Sequence, residues 1–363
     1  MKIAIYNRSF LVLGGAQRRS SALASHLAQR HDVTLITATK ISPAKIQSAH
    51  GIDLSKVRIV VKPSWGKYRR HFRDYDVFIN NSHDGKLINH APFGIFMCMF
   101  PYGARPDLSS YNVITANSSY TAQWIKRLWG YDSDVVYSAC RDMGPPEKKI
   151  KTIVNVGLLS TDISGVGRKN QMSMLDFFID LVRVGLRGWE LQLIGNQGTQ
   201  QSDADFIAAL RSKAEGYPVR IEPDLESSVL RTRLRQASLY WHAMGYGTDP
   251  EQDPSRHEHF GMSVVEAMSA GAVPLALNTG GPSEVIRHGV DGYLWSTPAE
   301  LQAFTLKLSS QPNVRERMSR NAIERAKVFN VVSYLSKIDR IIDDVRPKPR
   351  REGMLRRWLQ LFA

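Results

Sequence analysis

Short apolar runs of strand length alternate with amphipathic runs of helical period along this chain, and few folds accept that pattern. Lys2–Asn7 is an apolar strand and Gly14-Gly15 makes a turn. Ala16 to Arg30 then places Leu23 and Leu27 at helical spacing, and Asp32–Ala38 is another buried strand. A β-turn-α-β unit with glycines at the first turn is the usual opening of a doubly wound parallel sheet. The pattern predicts further strands at Val57–Val61, Asp76–Asn80, Gly94–Met99, Val113–Ala116 and Val135–Tyr137, with a helix over Ser119–Trp129.

The alternation starts afresh after the polar, proline-bearing stretch Arg141–Lys149. Strands are expected at Ile153–Val156, Leu191–Ile194, Val219–Glu222 and Leu239–Met244, and helices at Gln171–Val184, Ala204–Ala214 and Ser227–Gln236. A loop over Gly245–His257, rich in Asp, Pro and Gly, is expected to be mobile. Strand Val273–Leu277 and the turn Asn278–Pro282 follow, and beyond them the chain reads as helical to about Asp344. At 363 residues the chain exceeds one ordinary core. The expected division is an α/β domain over 1–145, a second over 146–330, and a segment 331–363. That last segment comprises a helix returning toward the first domain and a basic amphipathic tail.

Composition narrows the class. No run of eighteen apolar residues is present, so no membrane-spanning helix is expected. Met1–Tyr6 reads as a strand and lacks the apolar core of a signal peptide. Cys98 and Cys140 suit neither a disulfide framework nor a zinc site, and point to a reducing, cytoplasmic setting. The net charge of +14 is supplied largely by Lys62, Lys67, Arg69, Arg70 and Arg73, and by a tail running from Arg346 to Arg357. No nucleic-acid fold signature accompanies this charge, so no nucleic-acid partner is expected. An anionic membrane surface fits better, making the inner face of the cytoplasmic membrane the expected peripheral location.

The chemistry concentrates in Glu258-His259-Phe260-Gly261-Met262-Ser263-Val264-Val265-Glu266, where two carboxylates stand eight positions apart around a glycine turn. A helix starting near Met262 aims its free N–H groups and positive dipole end over Gly261, which suits a diphosphate. Glu258 and Glu266 could then take hydroxyl groups on either side of it, the pattern of a nucleotide sugar. Arg168-Lys169-Asn170 precedes a helix, where two cations make more sense over a phosphate than alone. Gly14-Gly15-Ala16-Gln17-Arg18 allows either close backbone approach to a ligand or an ordinary β–α turn. Three Asp-x-Asp triplets (Asp74/Asp76, Asp132/Asp134, Asp203/Asp205) match by chance at this composition, so no metal cofactor is expected. Of His83, His90, His242, His257 and His259, His83 stands out at the carboxyl end of a strand. The two acids could alternatively be a glycoside hydrolase pair, although both lie in one strand-turn-helix unit rather than across a groove.

From Glu258 to Gly292 the chain resembles the family-4 retaining glycosyltransferases of GT-B fold. There the Glu-x7-Glu element is followed by Ala267-Met268, Gly271–Pro274, Gly280-Gly281 and Glu284-Val285-Ile286. Gly14–Arg18, Ala116–Thr121, Lys169-Asn170 and Leu193–Gly195 are similar too. The resemblance implies two Rossmann-like domains facing a central cleft, with the acceptor on the first and the sugar nucleotide on the second. It implies that Lys169 and Arg168 hold the diphosphate and that Glu258 contacts the transferred sugar. Phe260, Gly261, Met262 and Ser263 would give backbone contacts, Glu266 would bind the ribose, and Gly14 and Gly15 would approach the diphosphate from the opposite domain. Asn117 and His83 complete the expected substrate contacts. The chain departs from the family pattern at Gly157-Leu158, where many members carry Gly-Arg, and at Phe100-Pro101, where many have a histidine before the proline.

The expected activity is therefore metal-independent, retaining transfer of a hexose from a nucleotide diphosphate sugar, with a lean to GDP-mannose and UDP-sugars open. The expected acceptor is a saccharide or lipid-linked glycan in cell-surface polysaccharide synthesis. A nucleotide-sugar epimerase of the same architecture and a non-catalytic carbohydrate- or nucleic-acid-binding protein are the alternatives.

Overall fold

The computed structural model describes residues 1–11, 14–62, 71–82, 85–161 and 169–344. They divide into two compact units. Residues 1–116, 124–136 and those from 335 onward make the first, and residues 117–123 and 137–334 the second. The expected mid-chain division near 145 sits beside that crossing at 137; the tail beyond 344 lies outside the described residues.

Each unit is built on one all-parallel sheet. The first contains β1 (Lys2–Tyr6), β2 (Asp32–Thr37), β3 (Arg58–Val61), β4 (Val77–Asn80), β5 (Phe93–Cys98), β6 (Val113–Ala116) and β7 (Asp134–Val135). Their order is β3-β2-β1-β4-β5-β6-β7. The second contains β8 (Ile150–Val156), β9 (Glu190–Gly195), β10 (Val219–Pro223), β11 (Ala237–His242), β12 (Val273–Leu277) and β13 (Tyr293–Trp295), in the order β10-β9-β8-β11-β12-β13. Strands such as β1, β11 and β12 are buried along both faces, which is why they read as continuous apolar runs. Both sheets reverse direction beside their first strand. That reversal, between β1 and β4 and again between β8 and β11, opens a crevice at the carboxyl ends of the strands where ligands bind in this class of fold.

The first unit carries α1 (Gly15–Leu27) and α2 (Pro43–His50); α3 (Ser119–Trp124) follows β6 and runs into a π-helical turn, Ile125–Trp129. Then come α4 (Gln171–Arg183), α5 (Gln201–Ala214), α6 (Ser227–Gln236), α7 (Met262–Ser269), α8 (Pro282–Val285), α9 (Pro298–Ser310), α10 (Pro312–Ala326) and α11 (Val331–Asp343). In the second unit, Leu239 and Trp241 of β11 face a core shared with α4, α5 and α9. Tyr240, between them, faces the opposite core, built on Val264, Val265 and Met268 of α7 and Ala322 of α10. The last turns of α11 join the first unit, where Asp339 accepts from His26 at 2.9 Å and Arg30 at 2.5 Å.

Two elements depart from the sequence expectation. Strand β13 interrupts a stretch expected to be helical throughout; three residues are too few to register as an alternation, and Gly292 before them lies where a Cβ would meet Pro274 O at 2.6 Å. Helix α2 was not expected because it buries a single apolar residue, Ile46. Its signals are local: the Ser42 hydroxyl accepts from Lys45 N at 3.3 Å, Pro43 opens the helix and Gly51 closes it at φ 68°.

Strands β8 and β9 come together tightly at their carboxyl ends. A Cβ on Gly195 would stand 1.7 Å from Gly157 O. Gly195→Ala is therefore expected to cost about 2–3 kcal/mol through backbone displacement, read as an apparent Tm several degrees lower by differential scanning fluorimetry. A variant as stable as the parent would show that the two strand ends separate freely.

Candidate donor site at the reversal of the second sheet

The reversal between β8 and β11 assembles a compact polar cluster. Lys169 ends the loop that leaves β8, and its Nζ lies 2.6 Å from Glu258 Oε2 and 3.0 Å from Met244 Sδ. Gly157 makes room for the lysine stem, since a Cβ there would meet Lys169 Cγ at 2.8 Å. Asn170, in the left-handed region at φ 56°, donates to Ala243 O at 2.8 Å and Tyr246 O at 3.2 Å, tying the start of α4 to the segment after β11. His242, the last residue of β11, puts Nε2 3.3 Å from the same Glu258 oxygen. Two residues earlier on the same strand face, the Tyr240 hydroxyl lies 2.8 Å from Ser263 Oγ and donates to Val156 O at 3.2 Å.

Glu258 is largely buried, and burial alone would raise its pKa. The Lys169 charge, the His242 hydrogen bond and the Lys169 hydrogen bond together outweigh that and hold the carboxyl well below its ordinary range. It is an anion at neutrality. Burial pushes the Tyr240 phenol up, with the Glu258 and Glu266 charges adding to the rise, so both acids act on one hydroxyl between them. Burial likewise lowers His259 to about 4, with Lys169 and His257 adding and the Glu258 charge opposing.

The Glu258–Ser263 backbone is held by the turn after β12. Gly280, at φ 65°, lies where a Cβ would stand 2.2 Å from Glu258 O, and a Cβ on Gly281 would stand 2.2 Å from Phe260 Cα. Gly281 N donates to Glu258 O at 2.7 Å. Gly261 takes φ 95° and opens α7. The Met262 and Ser263 amides, in the first turn, make no hydrogen bond among the described residues, leaving donors at that helix end. Glu266, one turn in, accepts from Arg141 N at 3.3 Å.

The expected site residues distribute unevenly. Lys169, Glu258, Gly261, Met262, Ser263 and Glu266 all belong to this strand-end and helix-start region. The Phe260 ring faces away into the core, stacked on Tyr137 at 5.7 Å, so only its backbone is available. Asn117 is buried at the end of β6, in the segment that joins the second unit. Glu284 of α8 clasps the next two residues, accepting from Ser119 N at 2.9 Å and Tyr120 N at 3.1 Å. Gly14 and Gly15 open α1 in the first unit, with the Gln17 side chain accepting from Gly14 N at 3.2 Å. Arg168 and His83 lie outside the described residues.

The loop Gly245–His257, expected to be mobile, is pinned at several points. The fully buried His257 ring bridges Thr279 Oγ1 at 2.9 Å and Thr248 Oγ1 at 3.1 Å, and the Tyr120 hydroxyl donates to Pro254 O at 3.0 Å. Two residues that sequence reasoning passed over, His242 and Glu284, are thus central to the geometry. Strand parity with Tyr240 is the one sequence signal that could have singled out His242. The Asp triplets meet ordinary partners: Asp76 accepts from Lys2 N, Asp132 pairs with Lys126, and Asp203 accepts from Thr161 N and Gln200 N.

Comparison with known proteins bears on the fold and on the stretch that contains Glu258 and Glu266. Residues 223–325 match the family model described as glycosyl transferases group 1. The chain is 28% identical over 251 residues to the mouse GDP-Man:Man(3)GlcNAc(2)-PP-Dol alpha-1,2-mannosyltransferase, covering 62% of this chain and 47% of that protein. It is 31% identical over 132 residues to a potato sucrose synthase, covering 30% of this chain and 15% of that one. The chain spans about half the length of the curated mannosyltransferases it matches. Among solved structures, Anabaena Alr3699/HepE in complex with UDP-glucose superposes with a TM-score of 0.71 at 16% identity, over 95% of this chain and all of that one. The resemblance read from the Glu258–Gly292 stretch agrees with the glycosyl transferases group 1 match over residues 223–325, and the two parallel-sheet α/β units have the GT-B fold of these solved structures.

The histidine beside Glu258 sets an acid limit on stability. His259 has an ordinary value of 6.5, lowered to about 4 in the fold. The folded state therefore takes up that proton less readily than the unfolded chain. Its contribution is full above about 6.5 and drains away as pH falls from there toward 4. Urea unfolding between pH 7 and pH 4 is expected to show stability declining with acidity and His259→Gln flattening the upper part of that decline; an unaltered slope would remove His259 from the effect.

Proposed function

We propose that this chain is a retaining hexosyltransferase that moves a sugar from a nucleotide diphosphate donor to a saccharide or lipid-linked glycan. The observation that carries the proposal is the Lys169–Glu258 pair beside the open start of α7. A cation, a helix end with free amides and two hydroxyl-accepting carboxylates are what a diphosphate flanked by sugar and ribose requires. GDP-mannose is the favoured donor, because the mannosyltransferase relatives are named for GDP-Man and a dolichol-diphosphate acceptor. A UDP-sugar is the second reading, favoured by the neighbouring structure that holds UDP-glucose. A role in cell-surface polysaccharide synthesis and attachment to the inner face of the cytoplasmic membrane complete the proposal. Among the described residues no helix is long and apolar enough to cross a membrane.

In this mechanism the diphosphate leaves as an anion while the anomeric carbon gains positive charge. Lys169, with Arg168 beside it in sequence, and the α7 dipole stabilise the leaving group as charge develops. Lys169 must exchange partners to do so, giving up Glu258 Oε2 for a phosphate oxygen. Glu258, freed on that side, accepts from hydroxyls of the transferred sugar, and Glu266 accepts from the ribose. The acceptor hydroxyl attacks on the face the phosphate leaves, and its proton passes to the departing phosphate oxygen. No metal is invoked, since Lys169 and the helix end supply the neutralising charge.

The donor is settled by thermal stabilisation against a panel of nucleoside diphosphates and their sugars. Preferential stabilisation by GDP and GDP-mannose is expected; preference for uridine would move the reading to its alternative, and no stabilisation by any would sink both. Lys169→Ala and Glu258→Ala are expected to stay folded and to lose roughly a hundredfold or more in turnover, while full activity in either would remove that residue from its role.

Gly14 offers a second, separable test. Its φ is −94° and, among the described residues, a Cβ would meet nothing nearer than Gln17 Oε1 at 3.5 Å, so the described fold tolerates alanine there. Gly14→Ala is expected to leave stability within about 0.5 kcal/mol while weakening substrate affinity by a steric block. Unchanged KM values for donor and acceptor would show that the glycine serves only the turn.

A further inference from the structure

We infer that His242 is a positioning residue for Glu258, whose Nε2–H keeps one carboxylate oxygen in place when Lys169 leaves it for a diphosphate. The inference rests on the donor-site reading above and extends it to a residue outside the binding motif.

Lys169 and His242 are the two hydrogen-bond partners of the Glu258 carboxylate among the described residues, and both meet the same oxygen, Oε2. If the lysine turns to a phosphate, His242 alone remains to fix that oxygen. The imidazole is suited to the task. It is 3% exposed at the end of a central strand, so its ring is held by packing rather than by solvent. Its other nitrogen, Nδ1, is buried and has no hydrogen-bond partner among the described residues. An N–H buried without an acceptor is costlier to the fold than a bare ring nitrogen. A carboxylate, in turn, only accepts. Both facts assign the ring proton to Nε2, with that donor aimed at Glu258.

Strand geometry makes the arrangement part of a larger device. Tyr240 and His242 lie two residues apart on β11 and share a face. Tyr240 meets Ser263, the second residue of α7, and His242 meets Glu258, just before the Gly261 turn. One rigid strand thus holds the strand-turn-helix element at a point on each side of the turn. Lys169, on a loop end with a weak second contact to Met244 Sδ, is the partner free to move.

The test uses the full chain with His242→Phe, which keeps the ring volume without a donor, and His242→Gln, which keeps an N–H donor. Binding of GDP and UDP is followed by calorimetry and turnover of GDP-mannose and UDP-glucose by release of the nucleotide. His242→Phe is expected to bind the nucleoside diphosphate within about threefold of the parent yet to lose on the order of a hundredfold in kcat, the scale of a misplaced contact. His242→Gln is expected to recover at least about tenfold of that loss. In spectra of ring-labelled histidine, the His242 ring is expected to carry its proton on Nε2 and not on Nδ1, and its signals to be displaced by Glu258→Gln. Parental kcat in the phenylalanine variant would overturn the inference, as would a glutamine variant no better than it, or a ring protonated on Nδ1. If the parent binds no nucleoside diphosphate, the donor-site reading fails while the ring spectrum still decides what His242 does for Glu258.

Discussion

The ion pair between Lys169 and Glu258 is the interaction around which the second unit's polar region is organised. Two opposite charges a few ångströms apart attract by about 4 kcal/mol at the effective dielectric of a protein near its surface. Removing each from water costs several kcal/mol. These terms nearly cancel, so the pair is held by its surroundings rather than by its own strength. Gly157 gives the lysine stem its space, Asn170 fixes the start of the following helix, and the Gly280-Gly281 turn presses on the glutamate's backbone. A pair so balanced is easily rearranged by a third charge. The diphosphate of the proposed donor, arriving at the α7 end, would tip the balance by offering the lysine more negative charge than one carboxylate supplies.

Glycines in the two units do different work, and steric distance separates them. At Gly195, Gly280 and Gly281 a Cβ would overlap backbone atoms by an ångström or more, so the absence of a side chain is required by the fold. At Gly14 a Cβ would sit in ordinary contact with a flexible glutamine. The fold does not account for that glycine, which is why it is the informative one for ligand approach.

The central strands of both sheets were legible in the sequence because they are buried on both faces and appear as unbroken apolar runs between helical segments. The Glu258–Glu266 element was legible because its chemistry is local: a turn glycine, a helix start and two acids within one short span. What escaped reading depends on contacts that no local pattern carries. β13 is three residues long, and α2 buries one side chain. Glu284 looks like an ordinary exposed helix acid until its carboxylate is found on two amides 165 and 164 positions earlier. His242 looked like any histidine near a strand end, because its importance lies in facing Glu258 from sixteen positions away along the chain. The loop Gly245–His257 has a composition suited to mobility, and its anchoring by the buried His257 and by Tyr120 is likewise invisible until the fold brings them together.

The electrostatics of Glu258 also bear on the hydrolytic alternative. A glycoside hydrolase requires one carboxyl held protonated near neutrality, its pKa raised by an apolar pocket, to deliver a proton to the leaving oxygen. Glu258 is driven the other way: burial pushes its pKa up, but Lys169 and His242 together outweigh burial and keep it ionised. An anion so firmly held can accept hydroxyl groups and can face a positive anomeric centre, yet has no proton to give. Glu266, on the same strand-turn-helix element, is not set across a groove from it. The proposed donor fits an ionised Glu258, because a diphosphate, already an anion at neutral pH, would leave without the protonation that a sugar alkoxide needs.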